Sequence, residues 1–565
     1  MKLRDEMRLW QPSTVVMFWG ILAFGVVSAC LDGGVHLWAW WTGVEGLSWN
    51  PFDLALALAS GSLRATRGMW VCVGVVASCL PLAILIGVLV RRHARGRRRR
   101  GDEAAHLTGA KRDTGSLGHK EVEAKAKRLG VKANDTDAFG LPVGRAVNDN
   151  RRLYSDFEAV SSIIAGPRAG KTTCWVVPRI LAAPGLVVGT SNKRDIVDTT
   201  RQARARRGQV WVFDPQGIAG ERQAFWWNPL RYVTDAVQAT AMAQIFMDAS
   251  RPTGGQSSAY FDAAARDLVA AYLLAAARAG QPLTIIHRWL NDQGDDEPVR
   301  ILRRCGETMA AETLQGTLNL VPETRSGVFG GASQIMVFML NDRAMSWVTP
   351  NNWLQELDPE KLVRSTDTIY LLSQEGRGSA APIVTALAVA IMEAAVDYAT
   401  SQPGGRLSTP ALVMLDEAAN VCRWAELPNM YSHFGSRGIC VDTVLQSWSQ
   451  GVVAWGPEGM NKLWSASNVK LYGGSVDEDE FLQRLSSLIG SHWIDSKQFS
   501  HSETGSSSSV TPDSQERRIA TVSDLRSMPM HRAWTLASGA PAVLTRLVPF
   551  WETTNPTDNE EAAAA

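Results

Sequence analysis

Residues 165–172 read Ala-Gly-Pro-Arg-Ala-Gly-Lys-Thr, and this octet constrains the fold more than any other part of the chain. A phosphate-binding loop needs small residues, so that backbone N–H groups can close around phosphate oxygens. It needs a helix N-terminus for positive potential and a lysine for a full charge at the β/γ-phosphates. Ala165 takes the first small-residue position, where glycine is commoner, and Gly170, Lys171 and Thr172 complete the pattern. Residues 159–164 are apolar and β-branched enough for a buried strand in spite of two serines. Residues 173–181 suit a helix, which Pro178 is expected to end or kink within two turns. Strand, loop and helix in this order predict a nucleotide site. Its ATP-binding residues are Gly166, Pro167, Arg168, Ala169, Gly170, Lys171, Thr172 and Thr173, with the Thr172 hydroxyl offered to Mg2+.

A second motif supports the first. Residues 411–417 read Ala-Leu-Val-Met-Leu-Asp-Glu, an apolar run ending in two carboxylates. Such a run is the pattern of a strand covered on both faces of a parallel sheet, and acids at its C-terminal end sit where open α/β sheets bind ligands. Asp416 is placed to hold the magnesium, directly or through water. Glu417 is placed to orient or deprotonate the attacking water.

Two stretches are membrane-like. Residues 14–31 are uncharged and apolar, marginal in length for a bilayer crossing; residues 69–90 meet the roughly 20-residue requirement. Lys2, Arg4 and Arg8 precede the first, and a run with seven arginines at 91–100 follows the second. Basic residues outside both outer ends predict a two-span anchor in the cytoplasmic membrane with both termini cytoplasmic. Residues 32–68 then form an external loop carrying Trp38, Trp40, Trp41 and Trp49. Next to a span, the basic run reads as an anchor to anionic lipid.

The formal net charge is +1, so outside that run the chain sums to about −6. A body so close to neutral offers no broad basic face for coating duplex DNA, and any nucleic-acid contact is expected in a local ring or pore. The seven cysteines have no paired spacing, which argues against a disulfide framework and a zinc site. The expected organisation is an anchor over 1–100, a charged linker over 101–135, and a nucleotide-binding part over 136–230 and again over 351–495. Alternating strand and helix patterns there predict βαβ units and a parallel sheet. Alanine-rich helical spacing over 231–350 predicts an all-α insertion, or a capping layer on the same core. Residues 496–565 are expected to hold a flexible serine-rich segment (500–514), terminal strands and an acidic tail.

The motifs follow one another in a familiar order. Two N-terminal spans are followed by Gly166-Pro-Arg-Ala-Gly-Lys171, Thr190-Ser-Asn-Lys-Arg-Asp195, Phe213-Asp-Pro215, Leu415-Asp-Glu-Ala-Ala-Asn420 and Val444-Leu-Gln-Ser-Trp-Ser-Gln450. From the first span to about residue 490 the chain resembles the coupling proteins of type IV secretion and conjugation, the TraG/TraD family of FtsK-like pumping ATPases. It departs in having Thr172 where many relatives have glycine, and alanine where an aromatic often follows the two acids. The resemblance implies a RecA-like P-loop ATPase with an all-α domain and a two-helix membrane anchor. It further implies a homohexamer that delivers a relaxase-bound single DNA strand, or a protein, to a type IV secretion channel. Gln446 falls where the family places a polar residue near the γ-phosphate. Ring ATPases also complete that site with an arginine from a neighbour. Arg437, in the turn Gly435-Ser-Arg-Gly438, is the candidate and Arg377 the rival, the alternative being that Arg437 caps the preceding helix or pairs with a local acid. Two other readings remain open: a double-stranded DNA translocase of the FtsK type, and a nucleotide-binding membrane scaffold that does not pump.

Overall fold

A strand at the centre of a parallel sheet must be apolar on both faces, and residues 411–415 are buried at every position in the computed structural model of the chain. The described residues are 12–79, 102–109, 115–131, 139–250, 258–376, 379–500 and 509–552. They divide into two units, Met1–Arg99 and Arg100–Ala565.

The larger unit is mixed α/β, built on one eleven-stranded sheet. Its strands are β1 (Leu141–Ala146), β2 (Arg152–Ser155), β3 (Ser161–Ile164), β4 (Val187–Ser191), β5 (Val210–Phe213), β8 (Thr368–Leu372), β9 (Ala411–Leu415), β10 (Ile439–Leu445), β11 (Val469–Tyr472), β14 (Arg532–Ala537) and β15 (Val543–Arg546). The short pair β6 (Phe225–Trp226) and β7 (Gln355–Glu356) and the hairpin β12 (Ser491–Ser500) and β13 (Ser509–Arg518) stand apart from it. The order across the large sheet is β2-β1-β15-β14-β11-β3-β10-β9-β4-β8-β5. From β11 to β5 every neighbouring pair is parallel. The other four strands join antiparallel. All the parallel strands therefore end along one edge, where an open α/β sheet binds its ligand.

Between β6 and β7 the described residues are helical. They include Ala236–Ser250, Ala259–Arg278, Ile285–Asn291, Glu297–Arg304, Thr308–Leu318 and Pro322–Ile335. Its buried side chains are continuous with the core of the sheet: Met242, Phe246, Leu273 and Phe329 belong to the same hydrophobic cluster as Ile369 and Val413 of the sheet and Ile391 of the helix Ala381–Ser401.

Two stretches differ from expectation. Over its described residues, 101–135 includes the helix His119–Arg128, and two of its charged residues pair with the body. Asp102 and Arg532, both nearly buried, pair at 2.7 Å, and Lys125 reaches Asp156 at 2.9 Å and Glu158 at 3.0 Å. In the serine-rich stretch, residues 509–514 are strand, paired in register with β12 from Ser500↔Ser509 to Ser491↔Arg518. Residues 501–508 lie outside the described residues.

In the first unit the helix Pro12–Thr42 runs on past residue 31, where the span was expected to end. Its 31 residues extend about 46 Å, longer than the roughly 30 Å hydrocarbon layer, and its 17–42 part is apolar enough to cross a membrane. Gly34 lies within this helix and allows close helix packing: a Cβ there would lie 2.4 Å from the Val73 backbone. Trp38, Trp40 and Trp41 therefore ride on a helix and not in the expected loop. The apolar helix Arg67–Cys79 corresponds to the start of the second expected span. The remainder of that span, 80–90, and the basic run lie outside the described residues. A further long apolar helix, Ala381–Ser401, is mostly buried and is a core element of the sheet domain.

One buried ion pair fastens the helix after the phosphate loop beneath the sheet. Arg179 and Asp442 are both fully buried; Nε lies 2.5 Å from Oδ2 and Nη2 3.1 Å from Oδ1. The Trp175 indole also donates to Asp442 at 3.2 Å, and Arg179 stacks on the Trp175 ring. Arg179 Nη1 then donates to the Pro142 carbonyl and the Ser155 hydroxyl. Removing one partner leaves a buried charge uncompensated, which costs roughly 3–5 kcal/mol. Asp442→Leu alone is expected to lower the urea-unfolding stability by about that amount, and Asp442→Leu with Arg179→Met to recover most of it. A single variant as stable as wild type contradicts this.

Candidate nucleotide site

Lys171 sits in the loop that leaves β3, and the neighbouring strands hold that loop from both sides. Ala165 N–H donates to the Leu445 carbonyl at the end of β10 (3.1 Å), and Gly166 N–H to the Gly474 carbonyl just beyond β11 (2.9 Å). Gly166 is required sterically: a Cβ there would lie 1.9 Å from the Ser475 carbonyl oxygen. Gly170 has φ +84°, and a Cβ there would press on the His531 ring and the Cys174 sulfur. Arg168 is left-handed at φ 59°. The helix opens with a widened π turn, Thr172–Val176, in which Val177 N–H bonds five residues back to the Thr172 carbonyl. It then narrows to an α-helix, Val177–Ala182. Pro178 thus follows directly on a distorted turn, and the helix ends four residues later at Ala182. Proline has no N–H to give the residue four back, and the wide turn accommodates that loss.

The Lys171 ammonium donates to the carbonyls of Ala165 (2.6 Å) and Gly166 (3.0 Å) within the loop. Burial lowers its pKa, opposed by the charges of Glu417 and Asp416. Those carboxylates follow β9, two strands from β3 across β10. Asp416 is buried, with a pKa raised to about 7, first by burial and then by the charge of Glu417, with Lys171 opposing. Glu417 is left-handed at φ 54° and starts the short helix Ala418–Val421. The Gln446 amide, one residue past β10, donates to both Glu417 oxygens at 2.6 and 2.8 Å.

The structure thus brings together Lys171, Thr172, Asp416, Glu417 and Gln446 at the C-terminal edge of three adjacent strands. Sequence reasoning gave no role to Asn420 or Gln450, which complete the support. Gln450 Oε1 accepts the Gln446 N–H at 2.8 Å, Gln450 Nε2 donates to Asn420 at 3.0 Å, and Asn420 donates to Glu417 at 3.4 Å. Both residues stand inside the motifs that carried the family resemblance, and that was their signal. Arg437 lies elsewhere. It precedes β10, a seven-residue strand that places it about 23 Å from Gln446. Its guanidinium donates to the His433 carbonyl at 3.0 Å, capping the helix Leu427–Ser436. Arg377 is outside the described residues.

The donor set fits a magnesium nucleotide. The loop carries the Lys171 ammonium and the Thr172 hydroxyl, and Asp416 is a buried carboxylate whose charged form a dication would favour. Thr172 and Asp416 would hold the metal, which when bound neutralises phosphate charge. Gln446 orients the Glu417 carboxylate, which can take a proton from water. Gly166→Ala is expected to abolish nucleotide binding in equilibrium titration while the protein stays folded. Binding at wild-type affinity would show that the observed loop shape is not required.

Comparison with known proteins agrees with this geometry. Residues 410–530 match the family model described as the TraM recognition site of TraD and TraG. A comparison with proteins of curated function found no match. Among solved structures, the bacterial conjugative coupling protein TrwBdeltaN70 in its unbound form is similar with a TM-score of 0.54 and 15% identity. The match covers 75% of this chain and 91% of that one. The plasmid coupling protein TrwB in complex with the non-hydrolysable analogue ADPNP (TM-score 0.54, 14% identity) and with ADP and Mg2+ (0.53, 13%) each matches over 75% of this chain and 92% of that one. At such identities the likeness speaks for the fold, which is the RecA-like fold of TrwB. Residues 410–530 thus resemble a TraD/TraG segment and are carried on that fold.

Proposed function

We propose that the chain is a membrane-anchored ATPase that couples hydrolysis to delivery of a relaxase-bound single DNA strand, or a protein, to a type IV secretion channel. The observation that carries this reading is the grip of Gln446 on both oxygens of Glu417 beside the phosphate loop. A scaffold that only binds nucleotide has no need of an oriented base. The TrwB complexes with ADPNP and with ADP and Mg2+ support ATP and Mg2+ as the ligands. The matched family's description supports a relaxosome-side partner of the TraM kind.

In the proposed mechanism the loop N–H groups and Lys171 bind the β/γ-phosphates, and Glu417 accepts the proton of the attacking water. Lys171→Ala is expected to lose ATP turnover and transfer together. Glu417→Gln should keep nucleotide binding while turnover falls by roughly 10²–10⁴-fold, the usual worth of a general base. Wild-type turnover in Glu417→Gln would remove Glu417 from that role.

As a homohexamer, the assembly would complete each site from a neighbour. Arg437 is the proposed donor: it is half-buried, and no carboxylate among the described residues pairs with it. Mixing Arg437→Ala with Lys171→Ala subunits is expected to restore part of the ATPase activity, since some interfaces then join an intact loop to an intact arginine. Normal turnover by assembled Arg437→Ala alone removes the assignment. For the anchor, the proposal is two spans in the cytoplasmic membrane with both termini cytoplasmic. A reporter fused after residue 100 should read cytoplasmic and one near Gly46 external; a cytoplasmic signal at Gly46 contradicts two spans.

A further inference from the structure

On the body of the protein, where the chain leaves the sheet for the helical block and later returns, lies a groove of about 630 Å3. That is within the range of about 300–1,000 Å3 usual for ligand sites. One wall is Trp227 and Tyr232 at the departure; another is the stretch from Asp358 to Arg364 at the return; the third is the helix Ala381–Ser401.

The electrostatics of the groove are one-sided. Arg231 is neutralised by Glu356 at 3.0 Å and Asp358 at 3.5 Å. Glu393 and Asp397 lie one turn apart on the same helix face, and neither has a cationic partner among the described residues. The Tyr232 hydroxyl donates to Glu393 at 2.7 Å, which fixes that carboxylate without neutralising it. Burial raises the Glu393 pKa, and the charge of Asp397 adds to the effect against the Tyr232 hydrogen bond. The same helix supplies an aromatic face: the Arg364 guanidinium stands 5.1 Å from the centre of the Tyr398 ring. The chain's own arginine thus shows that a guanidinium fits this wall.

We propose that this groove docks an extended, arginine- or lysine-bearing segment of a partner protein, with a cationic side chain held between Glu393, Asp397 and the Tyr398 ring. An aromatic face and two carboxylates without counter-charges are complementary to a guanidinium or ammonium group. Because the groove spans both crossings between sheet and helical block, its occupant touches both layers at once. The site is separate from the nucleotide site, and binding is read without nucleotide, so this inference and the hydrolytic reading fail independently.

The test titrates a fluorescein-labelled peptide of alternating arginine and serine into the full chain in detergent, with an aspartate–serine peptide as control. The arginine peptide is expected to bind, and the aspartate peptide not. Glu393→Gln with Asp397→Asn should weaken binding by about tenfold or more while ATP turnover is unchanged, since close charge pairs across an interface are worth that much. Arg364→Ala, which bares the Tyr398 ring, should tighten binding; misfolding cannot mimic that gain. Equal binding of the two peptides, equal affinity of wild type and the double variant, or weaker binding by Arg364→Ala would each overturn the proposal.

Discussion

The nucleotide site depends on how one helix is fastened under one strand. Arg179 stands eight residues after Lys171, and Asp442 four residues before Gln446; they meet fully buried at 2.5 Å. That pair fixes the distance between the helix that Lys171 opens and the strand leading to Gln446, whose amide grips Glu417. Desolvating two charges is expensive, and their attraction offsets the cost only when the remaining N–H groups find acceptors. Here Pro142 and Ser155, on β1 and β2, provide them. The far antiparallel strands thus reach back to the centre of the sheet, and the arrangement is a demand for specific geometry more than a gain in stability.

Around that frame the backbone is strained where the chemistry is placed. Five non-glycine residues in the described chain have left-handed backbones, and Arg168, Glu417 and Ser475 among them surround the loop. Each such residue costs of order 1–3 kcal/mol and persists only where its surroundings dictate it. At Glu417 the surroundings are visible. Thr190 donates to the Asp416 carbonyl on one side, and Gln446 and Asn420 hold the carboxylate on the other. The result is a Glu417 carboxylate whose orientation is set by the protein itself.

Much of this was legible in the sequence because its signals are local. The apolar run 411–415 and the octet 165–172 each define an element within a few residues, and the structure puts them on strands separated only by β10. What the sequence did not disclose depends on distant partners. Pro178 pointed to an end or a kink, but not to the π turn that precedes it. Residues 101–135 looked like linker because charged residues are usually solvated, whereas Asp102 finds Arg532 some 430 positions away. The first span was expected to end with the uncharged stretch at residue 31, yet the helix runs on through Asp32 to Thr42. Asn420 and Gln450 support the base through side chains thirty residues apart, which no periodicity encodes.

The helical block and the nucleotide edge share one hydrophobic cluster, so the two are mechanically continuous. The central claim is that this continuous body hydrolyses ATP for work on a substrate. Its most direct test is steady-state phosphate release by the full chain in lipid, with and without Mg2+, single-stranded DNA or a cognate relaxase. The account predicts release that requires Mg2+ and rises when substrate is added. Release no higher than the background of a Lys171→Ala chain, under every one of these conditions, would contradict it.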